Sequence, residues 1–334
     1  MSNYKTPPAY LRRALGSMLG QTMTDFEAVI INDGVKDESY EVLLEYAAKD
    51  DRIVLIENER NLGLPASLNS GLEVCRGKYI ARMDTDDICL PERLALQVEY
   101  MESNPDIMFA GAWADVFEKD ENVITDRWQY VMCSREEYRI RLLFGCAPLI
   151  IHPTAIFRAS FLFDNGIRYS EDTAYRYSED YELWTRCADA GKPGILQKVV
   201  LKYRNENSGQ RITSSRAEDM ERCVRNVQEK LLMRLGIGIS DEDYQLHHRL
   251  LSGRKPYDLR YKAWINKIIR QNRKLNVYDQ NLLCRILHDR WYNIVYYGTA
   301  YEKDPKKRLC YILSMYPDGY RPFIKSRMKK RQKE

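Results

Sequence analysis

Histidine is scarce in this sequence: four in 334 residues, with His247 and His248 adjacent. That scarcity argues against a histidine-built zinc centre. The eight cysteines form no CxxC pair and have no histidine at metal-ligand spacing, so they read as reduced thiols rather than a disulfide or zinc framework. No stretch approaches the roughly 18 apolar residues of a membrane-crossing helix. The opening Met1-Ser2-Asn3-Tyr4-Lys5 lacks the apolar segment of a secretory signal. A cytoplasmic protein is expected. What the chain does have is globular composition, with 44% hydrophobic, 30% charged and 11% aromatic residues, which excludes disorder, collagen and coiled coil. Its length accommodates one large domain or two smaller ones, at about 150 residues per domain.

The net charge of +4 conceals an asymmetry. From residue 241 onward there are 22 Lys+Arg against 10 Asp+Glu, a net of +12, which leaves −8 on the first 240 residues. An acidic body is therefore followed by a basic segment ending in Arg321, Lys325, Arg327, Lys329, Lys330, Arg331 and Lys333.

In the first hundred residues, short apolar runs alternate with amphipathic stretches. Strands are expected at Ala28–Ile31, Ile53–Ile56 and Tyr79–Met83, and helices at Pro8–Leu19, Tyr40–Ala48, Ala66–Val74 and Glu92–Met101. That alternation predicts a parallel α/β sheet. A half of this kind normally opens on a strand, whereas here the chain starts almost directly at a helix. Either the first strand is missing or the natural start lies upstream, and the second is favoured. The middle mixes strand-like runs (Met108–Phe117, Leu149–Phe157, Ile195–Tyr203) with a helix near Tyr181–Ala190. After Ser215 the pattern is mostly helical, with seams at Gly209, Ser214-Ser215 and Leu235-Gly236-Ile237-Gly238.

The strongest local signal is Asp84-Thr85-Asp86-Asp87 at the end of an expected buried strand. Ligands of parallel α/β sheets bind outside the carboxyl ends of strands. Three carboxylates there repel one another unless a cation or donors neutralise them, and Mg²⁺ or Mn²⁺ held by one or two carboxylates plus phosphate oxygens is the simplest solution. The same acidic run also suits the N-terminus of the helix that Pro91 introduces. Asn32-Asp33-Gly34 ends an earlier strand in the same manner, so two polar strand ends can share one crevice.

The run from Tyr4 through Ala95 resembles the nucleotide-binding half of an inverting family 2 glycosyltransferase with the GT-A fold. The residues that carry the resemblance are Pro8-Ala9-Tyr10-Leu11, Gln21-Thr22, Asp25-Phe26-Glu27, Asn32-Asp33-Gly34, Asn61-Leu62-Gly63-Leu64, Ser67-Leu68-Asn69, Gly77 through Asp87, and Pro91-Glu92-Arg93-Leu94. His152-Pro153-Thr154 and Glu179-Asp180-Tyr181-Glu182-Leu183-Trp184 resemble the family's acceptor-side elements, so the likeness extends to about residue 205. It implies a Rossmann-like GT-A domain over residues 1–210, with a nucleotide-binding half (1–105) and an acceptor half (106–210). A mainly helical basic region (211–334) follows.

Carried over by position, the resemblance makes Asp84 and Asp86 a DXD element, with Asp86 the direct metal ligand and Asp84 nearer the ribose or a metal-bound water. Tyr4 falls where a residue stacks on uracil, and Asn32 or Asp33 where one accepts from the base. Asp180 matches the catalytic base, and His152 lies near the donor diphosphate or the acceptor. Arg82 either reaches the pyrophosphate or pairs with a carboxylate. Glu179-Asp180 also has a purely structural reading, as the acidic first turn of a helix capped by Ser178. His152 could equally be a satisfied core histidine, and Lys202 and Arg204 solvated charges.

The resulting expectation is a metal-dependent inverting transferase, using Mn²⁺ or Mg²⁺, that moves a sugar from a nucleotide-sugar, with UDP as the favoured carrier. The acceptor is a glycan or a polyprenyl-linked saccharide in surface-polysaccharide synthesis. The basic C-terminus and its interleaved aromatics (Trp264, Trp291, Tyr292, Tyr296, Tyr297, Tyr311, Tyr316, Tyr320) suit either a solvated helix surface or peripheral docking on the anionic inner face of the cell membrane. No nucleic-acid motif accompanies the charge. A nucleotidyltransferase and an inactive nucleotide-binding scaffold are the competing readings.

Overall fold

The computed structural model describes residues 1–145, 150–205, 217–250 and 258–301, together with Asp304 and Lys306. The chain divides into two compact units, Met1–Gln228 and Glu229–Glu334.

In the first unit a three-stranded parallel sheet has the order β1 (Ser2–Asn3), β2 (Ala28–Asn32), β3 (Ile53–Glu57), with Asn3 opposite Asn32 and Asn32 opposite Glu57. The chain thus does enter through a strand, though one only two residues long. The amine of Met1 donates to Val29 O at 2.8 Å, and Ile31 N–H donates back to Met1 O. Helix α1 (Pro8–Leu19) starts at a proline whose missing N–H no helical bond requires. Asp37 caps α2 (Glu38–Ala47) by accepting from Ser39 N and Tyr40 N. Leu11 and Leu15 of α1 then close on Ile30 of β2 and on Val42 and Leu43 of α2.

Helix α3 (Leu64–Val74) begins after Gly63 and ends at Cys75, whose backbone is extended. Gly77 lies beyond that end and has no left-handed conformation. At Gly34 (φ +72°) a side chain is impossible, because a Cβ there would sit 2.1 Å from the Arg60 carbonyl carbon.

From residue 79 the topology departs from an all-parallel sheet. Strand β4 (Tyr79–Ala81) belongs to a second, six-stranded sheet. It pairs antiparallel with β8 (Ile156–Arg158), which in turn lies against β6 (Ile107–Phe117). β6 runs parallel to β9 (Lys192–Arg204), whose outer neighbour is β5 (Ile88–Cys89), while β7 (Ile124–Trp128) hangs on β6 as a hairpin partner. The strand expected over Leu149–Phe157 is mostly not one. Leu149 lies outside the described residues, and His152–Thr154 form a single 3₁₀ turn before β8. Pro153 has no N–H to donate to a ladder. No strand pairing joins the two sheets among the described residues. A cavity of about 760 Å³ opens between them, with Val29, Ile31, Leu72 and Ile80 among its lining residues.

Helices α4 (Arg93–Ser103), α5 (Arg135–Leu143), α6 (Ala159–Asp164) and α7 (Glu179–Ala190) cover the second sheet. The core under α7 is aromatic: the Trp184 ring stacks on Phe109 at 5.9 Å and on Phe157 at 5.7 Å. Removing such a ring typically costs about 3–5 kcal/mol, so the start of α7 is firmly held.

Helix α8 (Ala217–Met233) crosses into the second unit, which continues with α9 (Asp241–Leu250), α10 (Leu259–Leu275) and α11 (Gln280–Tyr301). This confirms a mainly helical C-terminal region, and Gly236 (φ +63°) marks one of the expected seams. Gly209 and Ser214-Ser215 lie outside the described residues. Trp264 and Trp291, among the aromatics that suited either a solvated helix surface or a membrane interface, are 3% and 2% exposed. Trp264 donates to Nδ1 of the buried His247 at 3.2 Å, so both tryptophans form the core of this unit. No helix among the described residues is long and apolar enough to cross a membrane. Tyr311, Tyr316, Tyr320 and the basic run from Arg321 lie outside them.

Candidate functional site

Two polar rims form where strands end. The first belongs to the three-stranded sheet. Asn3, fully buried, donates through Nδ2 to Asn32 Oδ1 at 3.2 Å and to Ser39 Oγ at 2.9 Å. Asn32 donates to Val35 O. Asp33 accepts from Leu62 N at 2.8 Å, Gly63 N at 3.0 Å and Asn58 Nδ2 at 2.9 Å. Asn32 and Asp33, expected to face the base, are each 1% exposed; the Asp33 side chain holds the loop that leads into α3, and that of Asn32 bonds Asn3 and Val35 O. Tyr4, beside them, is 48% exposed with the Lys5 ammonium 5.4 Å from its ring centroid, so its face is available for stacking.

The second rim follows β4. Arg82 is buried, its main chain is fixed by Ala155 O and by the Arg93 guanidinium, and its Nη1 pairs with Asp84 Oδ2. Of the two readings for Arg82, pairing with a carboxylate is the one the structure contains. Its Nε has no hydrogen-bond partner among the described residues. Asp84 and Asp86 are half-buried, and Thr85 Oγ1 lies 2.7 Å from Thr6 Oγ1, which ties this turn to the loop that carries Tyr4.

Asp87 is buried. One of its oxygens accepts from Arg204 N at 2.9 Å and the other has no partner among the described residues. Burial, and then the charges of Asp86 and Asp84, push its pKa well above the ordinary carboxylate range. Arg204 was read as a solvated charge but is 5% exposed. Its guanidinium lies over Tyr10 at 3.8 Å and Phe117 at 4.6 Å, and its Nε donates to Asp86 O. Those rings come from α1 and β6, so nothing local in the sequence marked Arg204 as the anchor of the acidic turn. Lys202 donates to Glu121 O.

Helix α7 brings Glu179 and Asp180 toward the same rim. Ser178 occupies the N-cap position but makes no capping bond, and its Oγ is buried without a partner. The acidic pair is therefore not accounted for by a capped helix start alone. Burial, and then the neighbouring Asp180 charge, push Glu179 up to about 8. Burial also raises Asp180, opposed by the Tyr181 N–H and by the positive charge of Arg82. Asp84 acts electrostatically on both, so one buried guanidinium serves Asp84, Asp87, Glu179 and Asp180 together.

His152 closes this rim. It is 8% exposed, and its Nε2 lies 2.8 Å from the Tyr169 hydroxyl. Burial and then Arg82 hold its pKa well below the usual imidazole value, so the ring is neutral. The sequence reading missed Tyr169, Asn3 and Asn58. Polar residues in loops or in a two-residue strand carry no periodic signal, and their partners are remote in the chain.

Among the described residues no group of three His, Cys, Asp or Glu side chains surrounds a common point. Two carboxylates on one turn do fit what Mg²⁺ or Mn²⁺ takes from a protein when phosphate oxygens complete its shell. The 760 Å³ cavity reaches Arg82 and Tyr169 but none of Asp84, Asp86, Glu179 or Asp180, so it lies behind the site rather than in it.

The family model described as "Glycosyl transferase family 2" matches residues 1–163. An uncharacterized glycosyltransferase of Methanocaldococcus jannaschii is 36% identical over 212 residues, which span 62% of this chain and 70% of that protein. The amylovoran biosynthesis glycosyltransferase AmsE of Erwinia amylovora is 36% identical over 205 residues, or 60% of this chain and 72% of its own. Among solved structures, S. aureus TarS 1–349 in complex with UDP-GlcNAc superposes with a TM-score of 0.55 at 17% identity, covering 89% of this chain and 87% of that one.

Proposed function

This chain belongs to glycosyl transferase family 2 and is a glycosyltransferase; from that premise we propose that it transfers a sugar, with inversion, from a UDP-sugar to a hydroxyl of a growing surface glycan or its lipid-linked precursor. The observation that carries the reading is that the buried Arg82 pairs with Asp84 and also acts through its charge on Glu179 and Asp180. Support for the donor comes from a TarS structure in complex with UDP-GlcNAc, and for the acceptor class from the amylovoran enzyme.

Asp180 takes the proton of the acceptor hydroxyl as its oxygen bonds to the anomeric carbon and the bond from that carbon to the diphosphate breaks. Attack on the face opposite the leaving group inverts the configuration, through an oxocarbenium-like state. Burial raises the pKa of Asp180, which makes it a better proton acceptor than an ordinary aspartate, while the Arg82 charge opposes that rise. Asp84 and Asp86 are the residues that would hold Mn²⁺ or Mg²⁺, which would supply a Lewis acid for the departing diphosphate. Tyr4 stacks on the base, and Asp33 fixes the loop that leads into α3. The basic segment from Arg321 would place the enzyme against an anionic membrane.

The test is thermal unfolding with UDP, GDP and CDP, each with and without Mn²⁺, on wild type and Asp86→Ala. At 100 times its dissociation constant a ligand adds about 2.7 kcal/mol of apparent stability. We expect a Mn²⁺-dependent shift with UDP that Asp86→Ala abolishes, and UDP rather than pyrophosphate as the product released from a UDP-sugar. A metal-independent shift, or release of pyrophosphate, overturns the assignment.

A further inference from the structure

Asn69, on α3, has no part in the chemistry above, yet it is 3% exposed and makes three bonds. Its Oδ1 accepts from Tyr169 N at 2.9 Å, and its Nδ2 donates to Tyr169 O at 2.9 Å and to Glu171 Oε1 at 2.8 Å. One side chain thus grips both main-chain groups of a tyrosine 100 residues away. Tyr169 is 6% exposed, and its hydroxyl meets His152 Nε2 at 2.8 Å, with the two rings 5.6 Å apart. The His152 ring also stands edge-on to Trp184 of α7, at 6.0 Å and 87°. A continuous chain, Asn69–Tyr169–His152–Trp184, therefore links the helix of the nucleotide-binding half to the helix that starts with Glu179-Asp180.

The direction of the Tyr169–His152 bond follows from what else the hydroxyl can reach. Among the described residues it has no second partner, so accepting from Nε2–H would leave its own proton buried and unbonded, at a cost of about 1–3 kcal/mol. Donating to Nε2 satisfies both groups and leaves the imidazole proton on Nδ1. The Arg82 charge that opposes an imidazolium keeps the ring in this neutral form.

We propose that Tyr169, clamped by Asn69, is a positioning residue that fixes His152 as the Nδ1–H tautomer, so that the ring offers an uncharged N–H donor to a sugar hydroxyl while Arg82 handles charge. The hydroxyl-binding part rests on the glycosyl-transfer reading above; the tautomer does not. In two-bond ¹H–¹⁵N correlation spectra of the full chain with ring-labelled histidine, assigned by His152→Gln, wild type shows a protonated Nδ1 and a bare Nε2. Tyr169→Phe keeps the main-chain clamp and removes one oxygen, and it gives a mixed tautomer. Thermal unfolding then shows UDP bound as in wild type, while affinity for UDP-glucose and UDP-N-acetylglucosamine falls about tenfold, the loss of one well-placed hydrogen bond. A proton on Nε2 in wild type overturns the proposal even if the variant fails to fold, and so does an unchanged tautomer in Tyr169→Phe. Equal weakening of UDP and the UDP-sugars removes the sugar contact. If UDP does not bind wild type at all, the functional reading falls while the tautomer result stands.

Discussion

The two rims of the first unit are both polar and both sit where strands end, but they are built on opposite principles. Around Asn3, Asn32 and Asp33 the three side chains are at most 1% exposed and their polar atoms meet partners, with Asn3 Oδ1 the one exception among these three in the described residues. Around Arg82 the chemistry is crowded and incompletely satisfied. Arg82 Nε, Asp87 Oδ2 and Ser178 Oγ lack partners among the described residues, and the carboxyl groups of Asp87, Glu179 and Asp180 are all pushed toward protonation. A satisfied network is scaffolding, because each member stabilises the fold it sits in. An unsatisfied one persists only because the surrounding core over-determines it, and such groups cluster at functional sites. Mutations should therefore divide cleanly, costing stability at the first rim and activity at the second.

The largest expected effect is on the second rim. Asp180→Asn lowers kcat by about 10²–10⁴-fold, the worth of a positioned base, while the unfolding midpoint holds or rises because a strained buried charge is gone. A loss of folding instead would make Asp180 structural and erase the contrast. At the first rim, Asp33→Ala leaves Leu62 N and Gly63 N without their acceptor and the Asn58 amide with Ser67 Oγ alone. It lowers stability by about 3 kcal/mol, within the cost of unsatisfied buried donors, as read by urea unfolding. Tyr4 stands at the same rim but is exposed, so Tyr4→Ala leaves the unfolding midpoint within error. It weakens UDP binding about tenfold, in line with about 1–3 kcal/mol for base stacking.

The smallest effect is in the pH dependence. Glu179 binds its proton more tightly in the folded state, with a pKa near 8 against an ordinary carboxyl value. Its favourable contribution is therefore complete below the unfolded pKa and is lost as pH rises toward about 8. Glu179→Gln removes that slope, so between pH 5 and pH 9 the variant's unfolding midpoint falls less than wild type's. Parallel pH profiles would show that Glu179 is not strained.

Legibility in the sequence followed the range of the interactions. Alternating apolar runs placed β2, β3, α1 to α4, α7 and β9 to within a few residues, because burial of one face is a local pattern. Asp84 and Asp86 stood out as carboxylates at the end of such a run, whereas Asp180 was marked by the family resemblance. The 3₁₀ turn at His152–Thr154 was hidden by apolar neighbours on both sides. The burial of Arg204 was invisible because Tyr10 and Phe117 supply the rings. Trp264 and Trp291 looked interfacial by composition alone, and only helix packing turned them inward.

By itself, then, the sequence determined the alternation of strands and helices, the acidic turn after β4, the acidic start of α7 and the helical character of the C-terminal region. Each depends on residues within one or two turns of one another. The tertiary structure alone decided that β4 leaves the parallel sheet for an antiparallel partner, that Asp33 holds a loop, and that one guanidinium serves four carboxylates. It also decided that Asn69 reaches across 100 residues to Tyr169. Those outcomes are set by which groups are brought within about 3 Å of each other and withdrawn from water, and hydrogen-bond strength and carboxyl ionisation both depend on that proximity and burial.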